Sequence, residues 1–318
     1  MAGSVQALDI QGHRGARGLA PENTLAAFAR ALSLGVTTLE LDCAVTRDGV
    51  VVVSHDPALN PDLTRTPDGK WLPRPGPRIR ELTYEQLRRY DVGRIRPDTA
   101  YARRFPDQQP VDGERIPRLA DVFALVKKSG NAAVRFNIET KISPLAPDDT
   151  TGPEDFARRL ISAVRSAGMD ERTAIQSFDW RTLAIIQKEA PGIPTVYLSA
   201  QQDFMNNIAG SSRSSPWTAG LHVSQFGGSI PRLVKAAGGA VWSPYHRELT
   251  RENLREAHGL GIKVVPWTVN GPADMKRLIE WGVDGIISDR PDVLRKVAAG
   301  MGIPLPPPTP VAPPGGRR

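Results

Sequence analysis

Apolar positions along the chain follow two rhythms in alternation. Short runs rich in Val, Ile, Leu and Thr occur at Leu8–Gln11, Thr37–Cys43, Ala133–Thr140, Thr173–Ser177, Pro194–Leu198, Ala240–Ser243, Ile262–Thr268 and Asp284–Ser288. Each reads as a strand. Between them apolar residues recur three and four positions apart. Leu25, Phe28, Ala29 and Leu32 share one face and predict a helix over Pro21–Leu34. The same spacing predicts helices at Leu119–Lys128, Pro153–Ala167, Trp180–Glu189, Arg251–His258, Ala273–Trp281 and Pro291–Ala299. Val50–Ser54 is a further strand, reached through Asp48-Gly49, and so predicts a hairpin.

Leaving the hairpin aside, eight strands with mostly helical crossovers are the rhythm of a parallel sheet. Eight such units within about 300 residues predict one α/β domain, a (β/α)8 TIM barrel over residues 1–300. A doubly wound open sheet is the alternative, weakened because no GxGxxG follows the first strand. Two segments break the rhythm. Residues 57–117 are rich in Pro, Gly, Arg and Asp, with one clear helix at Tyr84–Tyr90. An insertion this long in a barrel covers a site or serves one. Residues 301–318 carry seven prolines and predict a disordered, extended tail outside the fold.

Composition changes the picture mainly by exclusion. Apolar residues are 40% of the 318, enough for a sizeable core, and no apolar stretch is long enough to cross a membrane. The one cysteine, Cys43, excludes an internal disulfide and a multi-cysteine zinc site. The net charge of +7 is spread in short pairs such as Arg103-Arg104, so nucleic acid is not an expected partner. An anionic small substrate, or solubility alone, accounts for it. The N-terminus lacks the basic and apolar regions of a signal peptide, so a cytoplasmic location is expected for the chain as it stands. A periplasmic or secreted one would follow if a signal had been removed.

The chemistry-bearing residues fall at predicted strand ends, which form the active face of a barrel. His13-Arg14-Gly15 follows the first strand. A histidine there can move a proton near neutral pH, and Arg14 can clamp phosphate; a simple loop ion pair is the plainer reading. Glu40 and Asp42, two apart on one strand, point to the same side. Glu139 ends the next barrel strand, with Lys141 on its face as a further phosphate holder. Three carboxylates need a partner, either nearby Arg and Lys or a divalent cation. Oxygen ligands suit Mg²⁺ or Ca²⁺. His55-Asp56 ends the hairpin strand. Two histidines and three carboxylates suit phosphodiester cleavage, one histidine taking a proton and the other giving one.

These motifs resemble the glycerophosphodiester phosphodiesterase family, a group of phospholipase-C-like TIM barrels. The opening match is His13-Arg14-Gly15, Pro21-Glu22-Asn23-Thr24, Ala27-Phe28, Glu40-Leu41-Asp42, Asp48-Gly49 and His55-Asp56. It continues through Ile116-Pro117-Arg118-Leu119, Glu139-Thr140-Lys141, Ser177-Phe178, Trp267-Thr268-Val269-Asn270 and the segment from Asp284 to Pro291. The resemblance implies metal-dependent hydrolysis of glycerophosphodiesters, such as glycerophosphocholine or glycerophosphoethanolamine, to sn-glycerol 3-phosphate and an alcohol. It implies His13 and His55 as acid–base residues and Glu40, Asp42 and Glu139 as ligands of one divalent cation. Arg14 and Lys141 match phosphate-binding positions, and Phe178 and Trp267 pocket-lining ones. Arg118 and Thr140 depart from the family pattern, and Arg118 is expected at the pocket edge. Asp289 reads as an orienting residue. Two alternatives remain: lysophospholipase D or sphingomyelinase D-like action on lipid headgroups, and a non-catalytic phosphate-binding barrel. The lipid reading calls for a membrane-facing apolar loop, for which Trp71 and Leu72 are the insertion's apolar tip.

Overall fold

The computed structural model describes residues 7–209 and 215–313. Its eight barrel strands are β1 (Asp9–Gly12), β2 (Thr38–Val45), β3 (Arg135–Thr140), β4 (Thr173–Ser177), β5 (Thr195–Ser199), β6 (Val241–Pro244), β7 (Lys263–Val264) and β8 (Gly285–Ser288). All pair in parallel, in the order β7-β6-β5-β4-β3-β2-β1-β8. The ring closes through backbone bonds from Asp284 to Val264, Ile287 to Pro266 and Val269 to Ile287, each near 3 Å. The expected strand at Ile262–Thr268 shortens to Lys263–Val264. Pro266 has no N–H to give the ladder, so regular pairing stops short of it.

Alternation along the strands sorts side chains between lumen and helices. On β2, Leu39, Leu41, Cys43 and Val45 join the main core beneath the outer helices, and Glu40 and Asp42 face inward. Both faces of the strand are buried, as expected of a strand in a parallel barrel. The first helix runs over Leu25–Leu34 rather than from Pro21. Thr24 caps it by accepting from the Ala27 N–H, and Asn23 takes a left-handed backbone (φ 56°) that no helix continues through.

The short strand Val51–Val53 pairs antiparallel with the end of β2, as the Asp48-Gly49 turn predicts. The insertion then builds a small core of its own, in which Leu59, Leu72, Ile79, Leu87 and Ile116 pack on Ala44 and Val52. Leu72 is thus buried and Trp71 lies under the Arg65 guanidinium, so neither forms an apolar tip. Arg118 sits at the start of the helix Leu119–Lys128, paired with Asp121 and stacked over Tyr84, and lines no part of the mouth. A helix at Ile230–Ala236 escapes the apolar pattern because its few buried residues sit among Pro, Arg and Lys. The proline-rich end follows the extended course expected of it, but over 303–313 that course is docked. The Thr309 N–H donates to the Leu32 carbonyl (2.9 Å), Arg295 binds the Pro306 carbonyl (2.9 Å), and Ile303, Leu305 and Val311 pack on the core. Residues 314–318 lie outside the described residues.

Candidate active site

A cavity of about 850 Å³ opens at the C-terminal ends of the strands. The β2–β3 register sets Asp42 beside Glu139 and Glu40 beside Asn137. Glu40, Asp42 and Glu139 thereby bring a carboxylate oxygen each within 4.8 Å of one another, all three residues buried. The Arg14 backbone N–H donates to Glu40 (2.7 Å) and the Gln176 amide to its other oxygen (2.7 Å). Asn23 donates to Asp42 (2.9 Å) and Lys141 to Glu139 (2.8 Å). The turn that aims the Arg14 N–H depends on backbone freedom. Arg14 and Gly15 both have positive φ (49° and 84°), and a Cβ on Gly15 would lie 2.7 Å from the Ala27 backbone.

Three converging carboxylates cannot all ionise cheaply. Burial and the charge of Asp42 push Glu40 well above the usual carboxylate range. Burial and Asp42 raise Glu139 to about 7 against the opposing pull of Lys141. For Asp42, Arg14, His55 and Lys141 overcome burial and hold its acid strong. Asp42 also keeps one oxygen, Oδ1, buried without a hydrogen-bond partner. A buried oxygen without a donor, between two carboxylates that resist ionising together, fits a hard cation held by oxygen ligands.

His13 follows β1 and donates or accepts through Nδ1 with Asp289 at 2.6 Å, leaving Nε2 turned to the carboxylates, 3.9 Å from Glu40. Burial and Arg17 lower this imidazole to about 4, against the raising influence of Asp289. At neutral pH the ring is neutral, with Nε2 free to accept a proton once Nδ1–H is spent on Asp289. Asp289 is itself fixed by Arg17 (2.8 and 3.1 Å) and Asn270 (2.7 Å). His55 lies across the mouth on the hairpin. Its Nδ1 meets Asp56 at 2.7 Å, and Asn60 holds the second Asp56 oxygen (2.6 Å). Burial, Arg14 and Lys141 lower the His55 imidazole.

All nine residues singled out from the sequence border this cavity or touch a residue that does. His13, Arg14, Glu40, His55, Glu139, Lys141, Phe178 and Trp267 line it, and Asp42 lies beneath, 3.3 Å from Arg14 Nε. Phe178 and Trp267 meet edge to face, their ring centres 5.3 Å apart. Arg14 is less free than a phosphate clamp would be, since Glu22 and Asp42 already flank its guanidinium. Thr140 has a structural role, sharing its hydroxyl with Ser177 (2.9 Å) and Thr182 (2.8 Å) behind the site.

Two sets of residues escaped the sequence reading. Gln11, Asn137 and Gln176 form a polar layer below the carboxylates, with Asn137 donating to both glutamines (3.0 and 2.8 Å). Their signal was inward strand parity shared with Glu40 and Glu139. Tyr101 and Arg104 reach the mouth from a short helix in the insertion, Ala100–Arg104. Tyr101 donates to Glu22, which holds Arg14, and Gln108 donates to the Arg17 carbonyl (2.7 Å), so the insertion braces the loop after β1. Thr99 as a cap, followed by polar residues three apart, was the available sign.

Residues 13–293 match the model of the glycerophosphoryl diester phosphodiesterase family. The chain is 31% identical over 283 residues to a glycerophosphodiester phosphodiesterase of Caldanaerobacter subterraneus subsp. tengcongensis, covering 89% of this chain and 94% of that one. Among solved structures it is similar to one from Silicibacter pomeroyi DSS-3, provisionally named a glycerophosphoryl diester phosphodiesterase (36% identity, TM-score 0.83, 94% of this chain and 95% of that one). It shares the fold of an Oleispira antarctica phosphodiesterase in complex with the product sn-glycerol-3-phosphate (20% identity, TM-score 0.67, 92% and 97% covered). A barrel whose strand ends gather two histidines over three carboxylates, matched over nearly its whole length, belongs to the glycerophosphoryl diester phosphodiesterase family and is an enzyme of that activity.

Proposed function

We propose that the enzyme cleaves small glycerophosphodiesters, glycerophosphocholine and glycerophosphoethanolamine among them, to sn-glycerol 3-phosphate and the free alcohol. The observation that carries this reading is the pair of histidines, each fixed at Nδ1 by its own aspartate, opening on one cavity with the carboxylate triad. The neutral His13, held by Asp289, takes at Nε2 the proton of the attacking oxygen, either water's, which gives the product directly, or the glycerol 2-hydroxyl's, which gives a cyclic phosphate that water then opens. His55, held by Asp56 and protonated on entry, gives a proton to the alkoxide as its bond to phosphorus breaks, and exchange with solvent resets both rings before the next turnover. Lys141 offers an ammonium to the phosphate, and Phe178 and Trp267 give the glycerol carbons an apolar wall. Glu40, Asp42 and Glu139 would hold a divalent cation, Mg²⁺ or Ca²⁺, which when bound neutralises charge gathering on the phosphate. The product seen with the Oleispira antarctica phosphodiesterase supports a glycerol 3-phosphate-sized occupant.

Hydrolysis of glycerophosphocholine, with enzymatic detection of glycerol 3-phosphate, tests the reading. Treatment with EDTA is expected to abolish product, and Mg²⁺ or Ca²⁺ to restore it. His55→Ala is expected to lower kcat on the order of 10²- to 10⁴-fold with unchanged circular dichroism. Full activity in that variant, or no product with either ion, would overturn it.

A further inference from the structure

The mouth has a second lobe that the reaction as described does not use. It has a volume of about 410 Å³ and shares His55, Glu139, Lys141 and Phe178 with the catalytic cavity. Phe204 stands on that shared edge too, and past it the apolar residues Pro57, Ile142, Leu145, Met205 and Trp217 line the lobe, beside the polar Ser143, Asp149, Thr150, Asp203 and Asn206. Three large hydrophobic residues are strongly exposed among the described residues, and two of them, Leu145 (72%) and Phe204 (64%), stand on this lobe. The rest of the catalytic cavity carries the charged and polar groups Arg17, Tyr101, Arg104, Asn270 and Asp274, with Leu198, Trp267 and Ile287 among them. The cavity is thus divided at Lys141 and Phe178, where the ammonium lies 5.9 Å from the ring centre.

A glycerophosphodiester has two unlike arms. The glycerol arm can rest its carbons on Phe178 and Trp267, but its two hydroxyls need hydrogen-bond partners within reach. The polar side supplies donors and acceptors for them. The alcohol arm then leaves the phosphate toward His55, along the apolar lobe. We infer that this lobe is a leaving-group subsite for alcohols bearing a short hydrocarbon chain, so that the enzyme prefers glycerophosphodiesters of apolar alcohols. The inference rests on the diesterase reading above. Its support is the continuity of the lobe with the reacting centre and the pair of hydrophobic side chains left on its rim, at a cost in exposed apolar surface that a substrate chain would offset.

The test is a series of glycerophospho-n-alkanols from ethanol to hexanol, assayed on the wild-type enzyme with its metal supplied. kcat/KM is expected to rise about two- to fourfold per methylene over the first few carbons, the range set by partial to full burial of each group. Leu145→Ser, at an exposed position outside the catalytic cavity, is expected to leave turnover of the ethanol ester unchanged and flatten the rise. A flat series in the wild type, or a slope that survives in Leu145→Ser, overturns the proposal while the diesterase reading stands. Failure to hydrolyse even the ethanol ester overturns the diesterase reading itself. A lysolipid series showing chain dependence beside a flat alkanol series would assign the lobe to the glycerol arm and also overturn it.

Discussion

At the scale of single residues, the site is organised by which carboxylate answers which cation. Asp289 gathers His13, Arg17 and Asn270 around one buried carboxyl. Burial alone would raise it, yet Arg17 and His13 hold it below the usual carboxylate range. Asp289→Asn keeps the shape and removes the charge. It strips Arg17 of its buried partner and lets His13 adopt the wrong tautomer. The expected result is a fall in kcat on the order of 10²- to 10⁴-fold with little change in KM. A stability loss of about 3–5 kcal/mol should accompany it. The sign with pH follows from the lowered carboxyl. Its stabilisation is complete above the ordinary value near 4 and is lost as pH falls below that. Urea melts should therefore show the gap between wild type and variant narrowing below about pH 4. His13, Asn270 and Asp289 were legible in the sequence because each stands after a strand in a short polar motif. Arg17 and Tyr101 were not, because nothing in the spacing of a loop residue and an insertion residue says that both turn toward Asp289 and Glu22.

At the scale of elements, the loop after β1 carries more constraint than its length suggests. Its N–H groups face Glu40 and its glycine lies flat on the first helix, so the loop sets the distance between that helix and β2. Gly15→Ala meets both a left-handed backbone and the Ala27 backbone at 2.7 Å. A loss of about 1–3 kcal/mol is expected in chemical denaturation, with kcat falling in parallel because the Arg14 N–H is moved off Glu40. Wild-type stability in that variant would count against the close fit. Strands and helices with regular apolar periods were readable, and boundaries moved only where caps and prolines intervene, as at Thr24 and Pro266. The insertion was readable as an interruption but not as a small core, since Leu59, Leu72, Ile79 and Leu87 follow no single period.

At the scale of the whole molecule, the barrel is tied at the end opposite the active face. The docked tail links the first helix, through Leu32 and Gly35, to Arg295 in the last helix and to Lys128 and Asn131. A polyproline-like strand lacks most N–H donors, so it can be held by few bonds and by its apolar contacts. Composition alone could not reveal this docking. Removing residues 303–318 should lower stability by about 2–4 kcal/mol, from the lost burial of Ile303, Leu305 and Val311. Turnover of glycerophosphocholine at 25 °C should stay within about twofold, since none of the described tail residues lines the catalytic cavity. A large loss of kcat in a folded truncation would show that the tail acts on the site.

The bond between His13 and Asp289 spans 276 residues of sequence. During synthesis His13 leaves the ribosome 276 residues before its aspartate. The partner strand of β1 arrives with that aspartate, as the Gly12–Ser288 pairing requires. A nascent or C-terminally cut chain therefore holds the carboxylates of β2 and β3 long before it holds an oriented base. Diester cleavage becomes possible only when the last strand docks against the first, so the appearance of activity during translation would time the closing of the barrel.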